Sequence, residues 1–466
     1  MLKRIIQHKV FKNFSYLTIG SVLSQLISLL TVLKITKVLH PDDYGLYTFM
    51  IAQGTLLLTI GDLGIRNIVI RSIARDPNRT NDLVFNGAIL RMLALTLLSA
   101  IYLVYNYYLG NLNIQELVFV FSFALISCFG KLFETAFLGH QKMLTPSLIN
   151  LGFSVSWFLC VYLLPASNMT VEFLFYSFLG INLLKNAAFY FSLQRQHLLK
   201  GKVLGFWHSS QKLLKESWPY FALVLVMLPF TKLSNNFLDI NSSIEQIGFF
   251  NLSERLTGPV SFVLDFALVA IFPNLSALWV SNKVQFRNFV REGFKYYMLL
   301  GMILCFLFTL YAKELFGLLF PENYMPAVMV CQLQIWYLYL TSIDSLIGTI
   351  LGATNNEKKI LKLGIVNSLF STPILYISSS YGALGLASGM VISFSCFQFY
   401  LWYLFGKTLK IKVEDKGRMW IIAALLFVFS YFIAGNFDFV YKVLFGLLSI
   451  AGTGFYFSRN YSLAKA

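Results

Sequence analysis

Lys232, Asn235, Asn236 and Asp239 stand at offsets of 0, 3, 4 and 7 within "LVLVMLPFTKLSNNFLDI", a stretch otherwise dominated by apolar residues. On a helix that spacing puts all four on one face. A base, two amides and an acid so arranged can bind an anion, hold a cation or pass a proton. Inside a membrane each ionisable group costs at least about 2.5–3.5 kcal/mol on insertion scales, so each needs a partner, an aqueous cavity or a role. Ser21, Ser24, Gln25 and Ser28 repeat the same offsets, and Asn182, Lys185 and Asn186 form a third such face. Polar stripes can be glue between helices; stripes on several helices predict a shared water-filled cavity. Arg91, Lys131, Glu134, Glu254, Arg255, Asp265 and Asp344 are further ionisable residues in apolar surroundings. Lys131 and Glu134, three apart, are expected to neutralise each other. Glu254, Ser261 and Asp265 share a face, with Pro259 free to kink the helix between them.

The elements that carry these groups follow from composition. Of 466 residues, 57% are hydrophobic and 12% charged, against about 25% charged in soluble domains. The apolar residues fall in blocks near 20 long, enough to cross about 30 Å of hydrocarbon at about 1.5 Å per residue. The runs are continuous rather than alternating, which predicts helices and excludes a barrel. The fold class is therefore all-α, a polytopic membrane protein with fourteen expected spans. They lie roughly at 14–33, 44–64, 83–105, 116–138, 147–166, 171–193, 217–240, 246–272, 293–313, 327–351, 360–378, 382–406, 419–435 and 439–457. The first is too long for a signal peptide, lacks a small-residue cleavage site, and is expected to remain in the mature chain.

The net charge of +16 does not point to nucleic acid, because of where the bases lie. With the N-terminus inside, 28 of the 37 Lys and Arg fall in inner segments or the span turns that border them, and four in outer loops or their bordering turns. That asymmetry predicts both termini in the cytoplasm, with some attraction to anionic membrane lipid. Cys128, Cys160, Cys305, Cys331 and Cys396 are isolated in apolar spans, and no pair has metal or redox spacing. His8, His40, His140, His197 and His208 form no ligand pattern. No phosphate-binding loop, dinucleotide glycine pattern or nucleophile elbow is present, so no cofactor and no enzyme are expected.

One short acidic turn occurs twice. Aligning "HPDDYGLYTF" (40–49) with "SIEQIGFFNL" (243–252) matches Asp42 to Glu245, Gly45 to Gly248 and Tyr47 to Phe250. Likewise "LGHQKMLTPSLIN" (138–150) and "LGATNNEKKILKLGIVN" (351–367) each follow a fourth span and end at Asn in a fifth. These correspondences predict two six-helix lobes, 1–205 and 206–410, with two additional helices in 411–466. An even number of spans per lobe makes them parallel repeats. The acids suit helix N-termini and the glycines a close helix approach. Reading "PDD" as the metal motif of a glycosyltransferase fails on the second copy, which keeps only one acid.

The stretch "GSVLSQLISLLTVLKITKVLHPDDYGLYTF…TIGDLGIRNIVIRSIARD" resembles the opening of polysaccharide-type flippases. They belong to the multidrug/oligosaccharidyl-lipid/polysaccharide exporter superfamily, with multidrug exporters and lipid II flippases. "ERLTGPVSFVLDFALVAIFPNLS" (254–276) is similar to that superfamily's eighth helix and "YGALGLASGMVIS" (381–393) to the entry into its twelfth. The resemblance implies two lobes around a cavity that opens alternately to either side of a bacterial cytoplasmic membrane. It also implies a cargo of undecaprenyl-diphosphate-linked O-antigen or other surface-polysaccharide repeat units, and contact with polysaccharide polymerase machinery. Arg255, matching the Arg-Leu…Pro pattern, is then expected to grip the diphosphate, with Lys232 as a second contact and a salt bridge to Asp239 or Glu254 as the alternative. Arg91, Lys185, Asn235, Asn236 and Gln25 are expected to line the cavity. Asp239, Glu254, Asp265 and Asp344 are expected to couple transport to protons or sodium. A multidrug/cation antiporter and a lipid II flippase stay open as alternatives, and more distantly a membrane polysaccharide polymerase or ligase.

Overall fold

The structure is a computed structural model that describes residues 2–110, 112–203, 205–411, 413 and 416–465, with side chains described between Tyr16 and Gly452. Those residues form sixteen α-helices and three single 3-10 turns, and no strand. In chain order the helices are α1 (Leu2–Thr36), α2 (Pro41–Gly61), α3 (Ile65–Arg75), α4 (Thr80–Leu109), α5 (Ile114–Gly139), α6 (Leu144–Leu163), α7 (Val171–Arg195) and α8 (Phe206–Lys232). They continue as α9 (Ser234–Asn241), α10 (Ile244–Ser281), α11 (Lys283–Leu319), α12 (Ala327–Ala353), α13 (Glu357–Ser379), α14 (Gly382–Leu409), α15 (Lys416–Asn436) and α16 (Phe439–Lys465). Helix is the form that lets an apolar segment satisfy every backbone N–H and C=O internally.

A helix stands at each of the fourteen expected spans. Among the described residues, ten helices are long and apolar enough to cross a membrane, and α2 with α3 makes an eleventh, bent by 55°. α7 and α10 carry several charged and amide residues along their length, and in α16 the apolar run Phe439–Gly452 is shorter.

One expected span is broken and another is followed by a helix that no expected span covers. The helix of the second span stops at Gly61, and α3 starts at Ile65 after Leu63 (φ 51°) and Gly64 (φ 68°). Left-handed backbone favours glycine, and a Cβ on Gly64 would also lie 2.7 Å from the Phe221 nitrogen. The seventh ends as α8 at Lys232 and restarts at Ser234 as α9. Pro229, which has no N–H to give, weakens the ladder one turn before that break.

The chain divides into two compact units, Met1–Gly248 and Phe249–Ala466. In the first, α1 packs on α6, α5 packs on α2, α3, α4 and α7, and α8 packs on α3 and α4. Those contacts carry α8 and α9 into the first unit, so packing draws its boundary past 205, where the sequence repeat draws it. The core joins Ile68 and Val69 of α3 to Leu132 and Phe137 of α5 and Phe189 of α7. One end of this unit is tied by Asn81 N donating to the Lys200 carbonyl (3.0 Å), Ser209 Oγ to Asp82 (2.9 Å) and the Arg71–Glu216 ion pair (2.6 Å). His140 Nε2 lies 2.9 Å from Thr80 Oγ1 there. Burial holds that imidazole below the usual histidine range, with Lys142 and Lys200 acting in the same direction.

The two copies of the acidic turn meet. A Cβ on Gly45 would fall 2.1 Å from the Ile244 carbonyl oxygen, and one on Gly248 would fall 2.6 Å from that of Pro41. The glycines permit a close approach, and here they approach each other.

In the second unit α11 packs on α12, α15 and α16, and α14 packs on α12 and α13. The two C-terminal helices thus belong to this unit's packing: Ile433 of α15 joins Phe306 and Leu310 of α11 in one cluster. Lys442 of α16 is buried against Glu314 of α11 at 2.6 Å. Buried amides tie further helices together. Gln332 donates to the Thr309 carbonyl (2.9 Å), Gln334 to that of Phe250 (3.1 Å) and Gln398 to that of Leu340 (2.8 Å). Each such bond contributes about 0.6 kcal/mol in a membrane protein, so they set register more than they hold the bundle.

Candidate functional site

The residues expected to line a cavity fall in several settings, on α1, α4, α7, α8, α9 and α10. The polar stripe from Lys232 to Asp239 is interrupted, because the helix stops between Lys232 and Ser234. Lys232 is an exposed residue at the end of α8. Asn235, Asn236 and Asp239 are buried on α9. A 3.6-residue period assumes an unbroken helix, and Pro229 removes that assumption. Asn236 and Gln53 of α2 exchange amide hydrogen bonds of 3.2 and 3.1 Å. Asp239 is close enough to Tyr102 and Tyr105 of α4 to interact with both. Neither Gln53 nor the tyrosines stood out in the sequence. Only the pairing of α2, α4 and α9 reveals them.

Arg91 is enclosed at 1% exposure and forms an ion pair with Asp62, the residue at the bend between α2 and α3. Asp62 also accepts a long bond from the Arg66 nitrogen (3.4 Å). Arg91 thus spends its charge on the bend. "GDLG" carried a readable signal for this, an acid between glycines at the end of an apolar run.

Lys185 has its Nζ 4.3 Å from the centre of the Phe153 ring. It shares a cavity of about 280 Å³ with Lys131 and Glu134, lined by α2, α5, α6 and α7. Glu134 accepts from Asn150 Nδ2 at 3.1 Å, and no ion pair between it and Lys131 forms among the described residues. Helical spacing brought the two near each other, but the amide of α6 takes the carboxylate. Gln25 is exposed on α1.

In the second unit Glu254 and Arg255 are both exposed on α10, and Arg255 makes no ion pair with a described residue of its unit. Glu254 and Asp344 both act on Tyr337, which packs edge-on against Phe394. Asp265, exposed, acts on Tyr297. These acids therefore stand with tyrosines of α11 and α12, a grouping the sequence did not suggest. The unit also holds a cavity of about 780 Å³ lined mainly by apolar and aromatic groups of α12, α14 and α15, among them Trp336, Trp402, Trp420 and Phe427. Among the described residues no three His, Cys, Asp or Glu are placed to hold a metal ion. His8 and His208 lie outside the described side chains.

Solved structures share this architecture. The lipid II flippase MurJ in its inward closed conformation superposes with a TM-score of 0.74 at 14% identity, covering 96% of this chain and 99% of that one. An inward-facing multidrug resistance MATE transporter of the MOP superfamily superposes with a TM-score of 0.65 at 15% identity, covering 83% and 95%. In sequence, the capsular polysaccharide biosynthesis protein CapF of Staphylococcus aureus is 23% identical over 402 residues, 82% of this chain and 96% of that protein. Residues 10–279, more than half the chain, match the family described as polysaccharide biosynthesis protein. By that match over residues 10–279 the chain belongs to the polysaccharide biosynthesis protein family, and it shares its fold with the lipid II flippase and the multidrug transporter.

Proposed function

We propose that this protein is a flippase that moves undecaprenyl-diphosphate-linked repeat units of a surface polysaccharide across a bacterial cytoplasmic membrane, from the inner leaflet to the outer. The observation that carries the reading is the exposure of Arg255 and Lys232 on helices of an apolar bundle. A cation cannot be left against hydrocarbon at a cost of about 2.5–3.5 kcal/mol or more without water or an anion to receive it. A diphosphate with two or more negative charges has the complementary need, and a guanidinium meets phosphate oxygens bidentately. Family membership supplies the polysaccharide, and the apolar lining of the 780 Å³ cavity suits an isoprenoid tail. Asp239, Glu254, Asp265 and Asp344 are the acids through which proton or sodium coupling would act, and on this reading both termini lie in the cytoplasm. The chain acts as a transporter and performs no covalent step.

Deleting the gene is expected to abolish surface polysaccharide and leave lipid-linked repeat units on the cytoplasmic face, with restoration by the intact gene. Normal surface polymer in a deletion strain with no redundant flippase overturns the reading. Single repeat units that reach the outer face unpolymerised point instead to a polymerase, and lipid II that accumulates inside points to lipid II as cargo. Lost resistance to cationic drugs with intact polymer points to a multidrug exporter.

A further inference from the structure

The cavity of about 280 Å³ inside the first unit has room for about nine waters at about 30 Å³ each, or for one pyranose ring. Its charged lining residues are Lys131, exposed at its rim, and the half-buried Lys185 and Glu134. The nearby Arg91–Asp62 ion pair adds no net charge, and Arg66 and Lys232, outside the lining, act on Lys131 as further positive charges. With all three ionised the cavity carries one net positive charge, and uncompensated charge in an apolar bundle calls for a counter-ion. Much of the remaining wall is aromatic, beside Thr55, Leu58, Ser127 and Gly130. Phe123, Phe153 and Phe178 line it, with Phe178 seated 5.6 Å from Phe153 and 5.7 Å from Phe123. Lys185 is held against Phe153, and the amides of Asn150 and Asn182 are fixed by bonds to Glu134 (3.1 Å) and to the Phe178 carbonyl (2.9 Å).

Resting on the flippase reading above, we infer that this cavity receives an acidic sugar of the repeat unit, a uronic acid, with its carboxylate between Lys131 and Lys185. The charge matches, since a carboxylate brings one negative charge to a cavity with one positive charge in excess. A diphosphate brings two or more and would face Glu134. A halide would neutralise the lysines but use neither the aromatic wall nor the amides. A sugar ring lays its C–H face on phenylalanine and offers hydroxyls to Glu134, Asn150 and Asn182. Few directed polar groups on an aromatic wall are the usual composition of a small-molecule pocket.

The test uses the purified full chain in lipid nanodiscs and follows its melting temperature with D-glucuronate, D-glucose, acetate or chloride at matched ionic strength. D-Glucuronate is expected to stabilise the protein at concentrations about tenfold lower than D-glucose or acetate require. Lys131→Gln and Lys185→Gln are expected to remove that preference, and Lys185→Arg, which keeps the charge should the glutamine variant fail to fold, to retain it. Equal stabilisation by glucose, or by acetate and chloride, overturns the inference, as does an unchanged preference in both glutamine variants. Export in the deletion strain separates this from the broader reading. Wild-type protein that exports no repeat unit of any kind defeats the flippase. Lys185→Gln that exports acidic and neutral repeat units equally well defeats only the sugar site.

Discussion

An exposed guanidinium on a membrane helix is costly unless it is used. At Arg255 that cost coincides with the absence of an ion-pair partner among the described residues of its unit. Two charge-assisted hydrogen bonds of about 1.5–3 kcal/mol each are at stake, so Arg255→Ala is expected to lower export about a hundredfold or more at normal membrane abundance. Arg255→Lys, a point charge without the fork, is expected to keep part of it. The measurement is surface polymer in a complemented deletion strain, scored beside the abundance of each variant. Full export by Arg255→Ala would remove the residue from the site, and loss of the protein would make it a structural residue. Arg91 shows what the sequence left unread at this scale. Both residues were bases in apolar surroundings, but Asp62 stands 29 positions from Arg91 and meets it only because the chain bends at Gly64. Similarly, Glu134 has Lys131 one turn away and takes its hydrogen bond from Asn150 on another helix. Spacing identifies groups that share a face. It does not identify the group that another helix brings.

Helices were the most legible feature, because a run of about twenty apolar residues has one stable form in hydrocarbon. Their interruptions were less so. A hydropathy window averages across Leu233, where one residue leaves the helical range, and the expected second span ended at Gly64 with no sign of the helix that follows the bend. The cost of the average fell on the candidate site, since the break at Leu233 separates Lys232 from Asn235, Asn236 and Asp239. The doubled acidic turn was legible as a repeat, and the expectation of a close approach at its glycines is met by the two copies lying against each other. Gly45→Ala would drive a Cβ to 2.1 Å from a backbone oxygen, which no rotamer change relieves. Overpacking of this kind costs about 1–3 kcal/mol, so Gly45→Ala is expected to lower the melting temperature and membrane abundance. Gly152→Ala, on α6 with nothing within 4 Å of the added carbon, is the matched control and is expected to be neutral. Equal behaviour of the two variants would mean that α2 and the start of α10 can separate freely.

At the scale of the whole chain, orientation is a statement about loops, and the loops of the first unit sort themselves by contact. Asn81 meets Lys200 and Asp82 meets Ser209 at one end, while Pro41 and Gly45 meet Ile244 and Gly248 elsewhere in the same unit. The segments around Asp76 and His208 must therefore lie on one side of the membrane together. On the proposed orientation, which follows the 28-to-4 distribution of bases, that side is the cytoplasm. Reporter fusions after Asp76 and His208 are thus expected to read as cytoplasmic, and fusions after Ser167 and Asn241 as external. The pair around Asp76 and His208 is the sharper half of the test, because a contact of 3.0 Å and an independent charge count require the same answer. Opposite readings at those two sites would contradict the packing of α8 against α3 and α4. External readings at both would invert the chain and place the exposed bases on a path running inward. Cytoplasmic readings at both, with Ser167 external, would fix an even number of crossings before α8, which the six-helix repeat requires.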